Sequence, residues 1–360
     1  MSYKAAIISL GSVSSKWTFE RMQNYFSEVD ELDLKKIKIK LGSENGVFYE
    51  NEPLKDYDCI YAKGSYKFGI VLRALTSMLA GKCFMPIKAS SFTVGHNKIL
   101  TQLKLQSAKI PTPITYMAPS IFAAKSVLDE INFPIIMKFP EGTQGKGVMF
   151  AESYAAASSM LDAFASLNQP VLIQEYIETG STDTRVIVVG EKVVSAMQRK
   201  AVMGEKRANI HTGATGDSVT LDSLTRKIAI KTAKTMNCEV CAVDILEGVK
   251  GPRVIEINLS PGLQGITKVT KVDIADKIAK YLFEKTKEFK EQNKSNDTSD
   301  IFKDLGINVK DKQCQEIITS ADFRADRLLL PNVIKNLSQI GDDDEIIIKV
   351  EKGNINITKA

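Results

Sequence analysis

Glu256-Ile257-Asn258-Leu259-Ser260-Pro261-Gly262 lies twelve residues beyond the acid of Val243-Asp244-Ile245-Leu246, and the two segments together decide how the chain is read. Asp244 interrupts an apolar run, Cys241 to Leu246, that reads as a buried strand. Glu256 and Asn258 lie two apart in a second strand, so both project from one face while Ile255 and Ile257 project from the other. Two carboxylates held together in a half-dry site repel unless a positive charge sits between them. Hard oxygen ligands that leave room for water and phosphate suit Mg²⁺ better than zinc. Taken alone, the same residues also fit a pair of ordinary acids at strand ends, so the rest of the chain has to decide.

The 360 residues suffice for two or three domains with real cores. Charged residues make up 25% and apolar residues 44%, the balance of an ordinary soluble protein. The net charge of +5, from 48 basic and 43 acidic residues, is modest. No long Lys/Arg block collects it, so no direct nucleic-acid partner is expected. Arg73 interrupts the longest apolar stretch, Phe68 to Phe84, which falls short of the ~20 residues that span a bilayer. Ala5 to Leu10 is too short for a signal core and reads as a first strand, so the expected address is cytoplasmic with no membrane partner. Five scattered cysteines argue against a disulfide framework. Cys238-Glu239-Val240-Cys241 has CxxC spacing, yet no second such pair completes a zinc site, and buried apolar cysteines are the plainer reading. With only two histidines, His96 and His211, a histidine-rich metal centre is excluded.

Residues 1–91 alternate strand-like and helix-like stretches: Lys4 to Leu10, a helix over Ser15 to Phe26, Lys36 to Lys40, Asp58 to Ala62, and a helix near Tyr66 to Leu79. That predicts a small α/β domain with a parallel sheet. Gly11-Ser12-Val13-Ser14-Ser15 is not a GxGxxG turn, which withholds support from a dinucleotide fold. The body, 92–288, opens with a helix from His96 to about Ala108. Ile114 to Met117 and a helix near Ile121 to Glu130 follow it. Next come strand, glycine loop, helix and strand over Pro134 to Phe139, Gly142 to Gly147, Glu152 to Leu167 and Pro170 to Ile177. Arg185 to Val189 and Lys192 to Lys200 form a hairpin across Gly190-Glu191. A loop over Met203 to Gly216, a helix over Asp222 to Met236, the Asp244/Glu256 strand pair and a helix from Lys271 to about Phe289 complete the body. Residues 289–300 are polar and read as a linker. Residues 301–360 form an appended α+β module, helix-like over Arg327 to Leu337, with strands over Glu345 to Val350 and Asn354 to Thr358.

Several motifs carry phosphate chemistry. Glycines in Gly142-Thr143-Gln144-Gly145-Lys146-Gly147 let backbone N–H groups approach phosphate oxygens, although Gly147 stands where a Walker loop needs Ser or Thr. Lys138 ends the strand before that loop and is placed to neutralise phosphate. Gln174-Glu175-Tyr176-Ile177 could offer backbone groups to a flat heterocycle, with Asp183 accepting from ribose hydroxyls. Arg185, Arg199, Lys200 and Arg207, with Asn209 and His211, cluster in sequence and could stabilise transferred phosphate.

In register, Glu141-Gly142-Thr143-Gln144-Gly145, Gln174-Glu175-Tyr176-Ile177, Asp183-Thr184-Arg185, Arg207-Ala208-Asn209-Ile210-His211, Val243-Asp244-Ile245-Leu246 and Glu256 to Gly262 resemble the RimK family of ATP-grasp α-L-glutamate ligases. The likeness covers roughly Tyr57 to Phe289 and leaves the tail outside. It implies two α+β lobes, about 92–180 and 181–288, that grip ATP, preceded by a small α/β domain that helps form the substrate site. Lys98 and Lys138 would contact ATP phosphates beside Gly142, Gly145 and Gly147. Glu175, Tyr176 and Ile177 would hold adenine, and Asp183 the ribose. Arg207 and Asn209 would belong to the nucleotide and substrate loop. Asp244, Glu256 and Asn258 would bind Mg²⁺ or Mn²⁺, two ions being typical, and Arg185, Arg199, Lys200 and Arg207 would serve the acyl phosphate and the incoming L-glutamate.

The implied acceptor is a carboxylate on a protein C-terminus, on a glutamyl-bearing coenzyme such as a deazaflavin or tetrahydromethanopterin, or on a carrier protein of amino-acid biosynthesis. A homo-oligomer is expected. Lys200 stands where the bacterial ribosomal-protein ligases typically carry arginine, and Gln264 where they carry an acid. Two readings from other classes stand beside this one: a nucleotide-binding regulator without turnover, and an interaction protein docking through 301–360.

Overall fold

The computed structural model describes residues 2–42, 45–139, 147–164, 170–201, 215–293, 322–324, 327–329, 344–351 and 354–359. The chain divides into two compact units, Met1–Asn308 and Val309–Ala360.

In the first unit β1 (Lys4–Ser9) is buried from Ala5 onward, as a strand covered on both faces must be. Helix α1 (Val13–Met22) starts where the Ser12 hydroxyl accepts from Ser15 N–H at 3.2 Å. β2 (Glu28–Asp33) pairs parallel to β1, and its sequence, Glu-Val-Asp-Glu-Leu-Asp, escaped the reading because its acids lie at a partly exposed edge. β3 (Ile37–Lys40), β4 (Gly46–Tyr49) and β5 (Glu52–Pro53) make a separate antiparallel sheet. Lys36 to Lys40 therefore does not extend the parallel sheet as expected. β6 (Cys59–Ala62) pairs parallel to β1 on its other side, giving the order β2-β1-β6.

After α2 (Gly69–Met78) and α3 (Ala89–Val94) comes α4 (Lys98–Ser107), capped by the Asn97 side chain, which accepts from the N–H groups of Ile99 and Leu100 at 3.1 Å each. That cap sets Lys98 at the first helical position. β7 (Thr115–Ala118), α5 (Ile121–Leu128), β8 (Ile135–Lys138), β9 (Val148–Ala151), α6 (Tyr154–Phe164) and β10 (Val171–Glu175) follow, with the four strands in one antiparallel sheet ordered β7-β10-β8-β9. β9 corrects the sequence reading. Lys138 pairs with Val148, so the glycine segment joins the two strands of a hairpin rather than a strand to a helix. The apolar Val148-Met149-Phe150-Ala151 is short enough to pass for loop.

β11 (Thr182–Val189), β12 (Lys192–Lys200), β13 (Thr215–Ser218), β14 (Val240–Gly248) and β15 (Gly251–Asn258) build a five-stranded antiparallel sheet, ordered β13-β12-β11-β14-β15. The hairpin across Gly190 forms as expected, whereas β13 begins at the end of the stretch read as loop and runs on to Ser218. α7 (Ser223–Thr235) packs on β14 and β15. The helix expected from Lys271 is α9 (Ile274–Asn293), and a helix that the sequence reading did not include, α8 (Gln264–Thr270), precedes it and ends where Lys271 adopts φ +57°.

Two cores result. One joins the N-terminal parallel sheet to the five-stranded sheet through residues such as Ile8, Tyr61, Phe92, Val243 and Leu263. The other is confined to the four-stranded sheet and its helices, among them Leu128, Ile135, Met137, Leu161 and Ile173.

The second unit contains two hairpins, β16 (Asp322–Arg324) with β17 (Arg327–Leu329) and β18 (Ile346–Glu351) with β19 (Asn354–Lys359). Arg327 to Leu329 is thus strand where a helix was expected, and 330–337 lies outside the described residues.

Ser14, in the first turn of α1, accepts from the Leu263 N–H at 2.8 Å in a buried contact that ties the N-terminal sheet to the segment leaving β15. Ser14→Ala leaves that N–H without an acceptor. It is expected to destabilise the protein by about 1–3 kcal/mol, measured by chemical denaturation.

Candidate active site

The site is built on one face of the five-stranded sheet. Asp183 and Arg185 lie two apart on β11 and so share a face. In cross-strand register Asp183 opposes Arg199 of β12, Arg185 opposes Asp244 of β14, Asp244 opposes Glu256 of β15, and Ala242 opposes Asn258. The ladder shifts between Asp244 and Ile245, a bulge on β15 of the kind that re-aims side chains beside functional sites.

Hydrogen bonds lock the row. Arg185 donates through Nε and Nη2 to the two Asp244 oxygens at 2.8 and 2.7 Å. Arg199 donates to both Asp183 oxygens at 2.6 Å, and its Nη2 lies 3.0 Å from Asp244 Oδ2. Asn258 Nδ2 reaches Asp244 Oδ2 at 3.5 Å. Burial pushes the Asp244 carboxyl up, but the Arg185 and Arg199 guanidinium groups outweigh it and hold Asp244 well below the usual range. Burial likewise pushes Asp183 up against the pull of Arg199. Glu256 is raised by burial and then by the Asp244 charge, against the attraction of Lys98, Arg185 and Lys138.

These residues fit a divalent cation. A carboxylate offers about four lone-pair positions, of which Arg185 occupies two and Arg199 one on Asp244. Glu256 lies directly across the strand pair from Asp244, and a cation between two such carboxylates would relieve their repulsion. Among the described residues no group of three or more His, Cys, Asp or Glu gathers as a ready metal cage. Two carboxylates and the Asn258 amide would therefore leave coordination positions to phosphate and water, as Mg²⁺ prefers.

Opposite this row stands Lys138, at the end of β8 and almost wholly buried. Its Nζ donates to Gln174 Oε1 at 2.8 Å, and Gln174 Nε2 donates in turn to Thr115 Oγ1 at 2.6 Å. Burial, aided by the Lys98 charge, pushes the amine down to about 8, while Glu256 pulls the other way. Lys98, Lys138 and Glu256 thus share one electrostatic neighbourhood.

Glu175 accepts from the Ile114 N–H at 2.9 Å and lies 3.9 Å from Arg253. Tyr176 meets Phe150 edge-on at 5.1 Å. Ile177 presses against Gly248, where an added Cβ would lie 2.6 Å from its Cγ2, so only glycine fits there. Gly147 takes φ +75°, with Phe139 3.0 Å from where a Cβ would stand. Lys200, exposed at the end of β12, alternates to the face opposite Arg199 and is not brought into the row. Gly142, Gly145, Arg207, Asn209 and His211 lie outside the described residues. Gln174 and Arg253 were missed by the sequence reading. Gln174 stood inside a quoted motif without a role for its side chain, whereas nothing in the sequence signals that Arg253 donates to the Thr112 carbonyl at 3.2 Å.

The Glu256 shift has a consequence for stability. A carboxyl that binds its proton more tightly folded than unfolded weakens the fold as pH rises above its ordinary value of 4.5, and leaves it unaffected below. Without nucleotide or Mg²⁺, Glu256→Gln is expected to unfold at a higher temperature than the parent near about pH 7, and at the same temperature near about pH 4. Calorimetry at the two pH values checks the sign.

Comparison with known proteins gives the arrangement a family. Residues 95–282 match the profile of the RimK-like ATP-grasp domain. A probable alpha-L-glutamate ligase of a Picosynechococcus species is 35% identical over 269 residues, 73% of this chain and 89% of that protein. Its counterpart in Cellvibrio japonicus is 36% identical over 268 residues, 72% and 88% of the two chains. In fold, the RimK domain ATP-grasp protein of Sphaerobacter thermophilus superposes with TM-score 0.60 at 20% identity, covering 77% of this chain and 98% of that one. The D-alanine–D-alanine ligase of Bacillus anthracis complexed with ATP gives 0.57 at 16%, covering 81% and 99%. The chain belongs to the RimK-like ATP-grasp family.

Proposed function

We propose that this ATP-grasp ligase joins the amino group of L-glutamate to a carboxylate acceptor by way of an acyl phosphate. The observation that carries the reading is the cross-strand pairing of Asp244 with Glu256 within the electrostatic reach of Lys138 and Lys98. Relatives named as probable alpha-L-glutamate ligases, matched over most of their length, supply the glutamate.

In this reading an acceptor carboxylate oxygen attacks the γ-phosphorus of ATP and ADP departs. The glutamate nitrogen then attacks the acyl carbon, phosphate leaves, and the nitrogen gives up a proton to form the amide. Neither step needs a protein nucleophile. Both need charge neutralisation, alignment and exclusion of water. Mg²⁺ or Mn²⁺, held by Asp244, Glu256 and Asn258, supplies countercharge to the phosphates. Lys138, steadied by Gln174, and Lys98 at the start of α4 bind phosphate oxygens. Glu175, Tyr176 and Ile177 flank the adenine. Arg185 and Arg199 hold Asp244 ionised, so the metal-binding carboxylate needs no deprotonation before use. The acceptor is a protein C-terminus or a glutamyl-bearing coenzyme.

Purified protein is expected to release ADP only when glutamate and an acceptor are both present. Incubating a cell extract with enzyme, ATP and labelled glutamate, followed by mass spectrometry, identifies that acceptor. Glu256→Gln is expected to lower turnover by roughly two orders of magnitude or more, the scale of losing one electrostatic contact to a transition state. Undiminished ADP release by that variant at limiting Mg²⁺ would sink the reading. Lys138→Met is expected to raise the KM for ATP by about tenfold or more, the weight of one hydrogen bond to a charged group.

A further inference from the structure

Lys63 directly follows β6 at the carboxyl edge of the parallel sheet and is only 3% exposed. Its backbone N–H donates to the Ile8 carbonyl at 2.9 Å, which fixes it beside the end of β1. The ammonium lies 5.4 Å from the centre of the Tyr61 ring. Burial pushes the amine down to about 8, and no carboxylate among the described residues opposes that fall. The Tyr61 hydroxyl, two residues earlier on the same strand face, is also buried without a hydrogen-bond partner among the described residues. The Tyr61 hydroxyl is thus a buried donor without an acceptor, and the Lys63 ammonium beside its ring has no carboxylate partner among the described residues.

A buried charge without a partner is costly, and a methionine of similar length would fill the space without that cost. The carboxyl ends of parallel strands are also where open α/β sheets receive their ligands. Here that edge carries the first turn of α1, whose Ser14 hydroxyl holds the Leu263 N–H at 2.8 Å. Leu263 follows Asn258 by five residues, a reach of at most about 17 Å.

We propose that Lys63 binds a substrate carboxylate other than the one being activated, where the N-terminal sheet meets the segment leaving β15. The inference rests on the ligase reading above and adds to it a recognition group. A carboxylate brings the countercharge that the Lys63 ammonium lacks among the described residues. Two substrates could supply it: the incoming glutamate, or an acceptor that ends in a glutamyl group.

Calorimetric titration of the full-length parent protein and Lys63→Met, each with Mg²⁺ and a non-hydrolysable ATP analogue, separates these. L-glutamate serves as one probe and N-acetyl-L-glutamate, whose amine is blocked, as the other. The variant is expected to bind the nucleotide analogue as the parent does and to unfold at a higher temperature. Its affinity should fall by about tenfold or more for at least one probe, the weight of one charge-assisted contact. Loss for L-glutamate alone assigns Lys63 to the incoming amino acid, and loss for the acetylated probe assigns it to the acceptor. Unchanged affinity for both overturns the proposal. Should the methionine variant not fold, Lys63→Gln is read by the same criteria. A parent protein that binds neither probe removes the glutamate reading itself, an outcome visible before any variant is made.

Discussion

Like charge on adjacent strands is the constraint around which this protein is arranged. Asp244 and Glu256 face each other across β14 and β15, and both are largely shielded from water. Two such carboxylates cannot both be ionised at no cost. The protein treats them unequally. Asp244 receives two arginines and stays ionised, whereas for Glu256, among the described residues, the fields of Lys98, Arg185 and Lys138 do not offset burial and the Asp244 charge. That asymmetry leaves one carboxylate charged and its neighbour drawn toward its proton, a setting in which a cation between the two would be favoured.

The arginines also explain why Asp183 sits where it does. Arg199 bridges Asp183 and Asp244, so a single guanidinium ties β12, β11 and β14 through side chains as well as backbone. On the far side of the cleft the same logic works with neutral groups. Lys138 is steadied by an amide, and that amide by a hydroxyl, so the lysine is positioned by neutral groups rather than by a carboxylate. Arg253 and Glu175, with Val254 N–H donating to the Pro111 carbonyl at 2.9 Å, knit β15 to the chain entering β7.

Much of this was legible in the amino acids. An acid inside an apolar run, and an acid and an amide two apart, can share a face only if both segments are strands, and the register bears that out at Asp244 and Glu256. The elements that escaped did so for physical reasons. β2 is acid-rich because its edge meets solvent, β9 is only four residues long, and α8, at seven residues, is too short to show a helical period. The pairing of Asp183 with Arg199 depends on the hairpin register across Gly190, which spacing suggested, and on side-chain reach, which spacing cannot report. The Lys63 environment was silent in sequence, since a lysine after a strand ordinarily meets water.

The two cores bear on how the sheets are joined. The sheet that carries Lys138 is packed around apolar residues of its own, while the parallel sheet and the Asp244 sheet share a single interior. The Lys138 sheet therefore has an interior of its own, and the segment leaving β10 meets β14 where Ile177 lies against Gly248. Polar ties at Glu175, Arg253 and Pro111 join its surroundings to β15, so the two interiors are linked by hydrogen bonds and an ion pair.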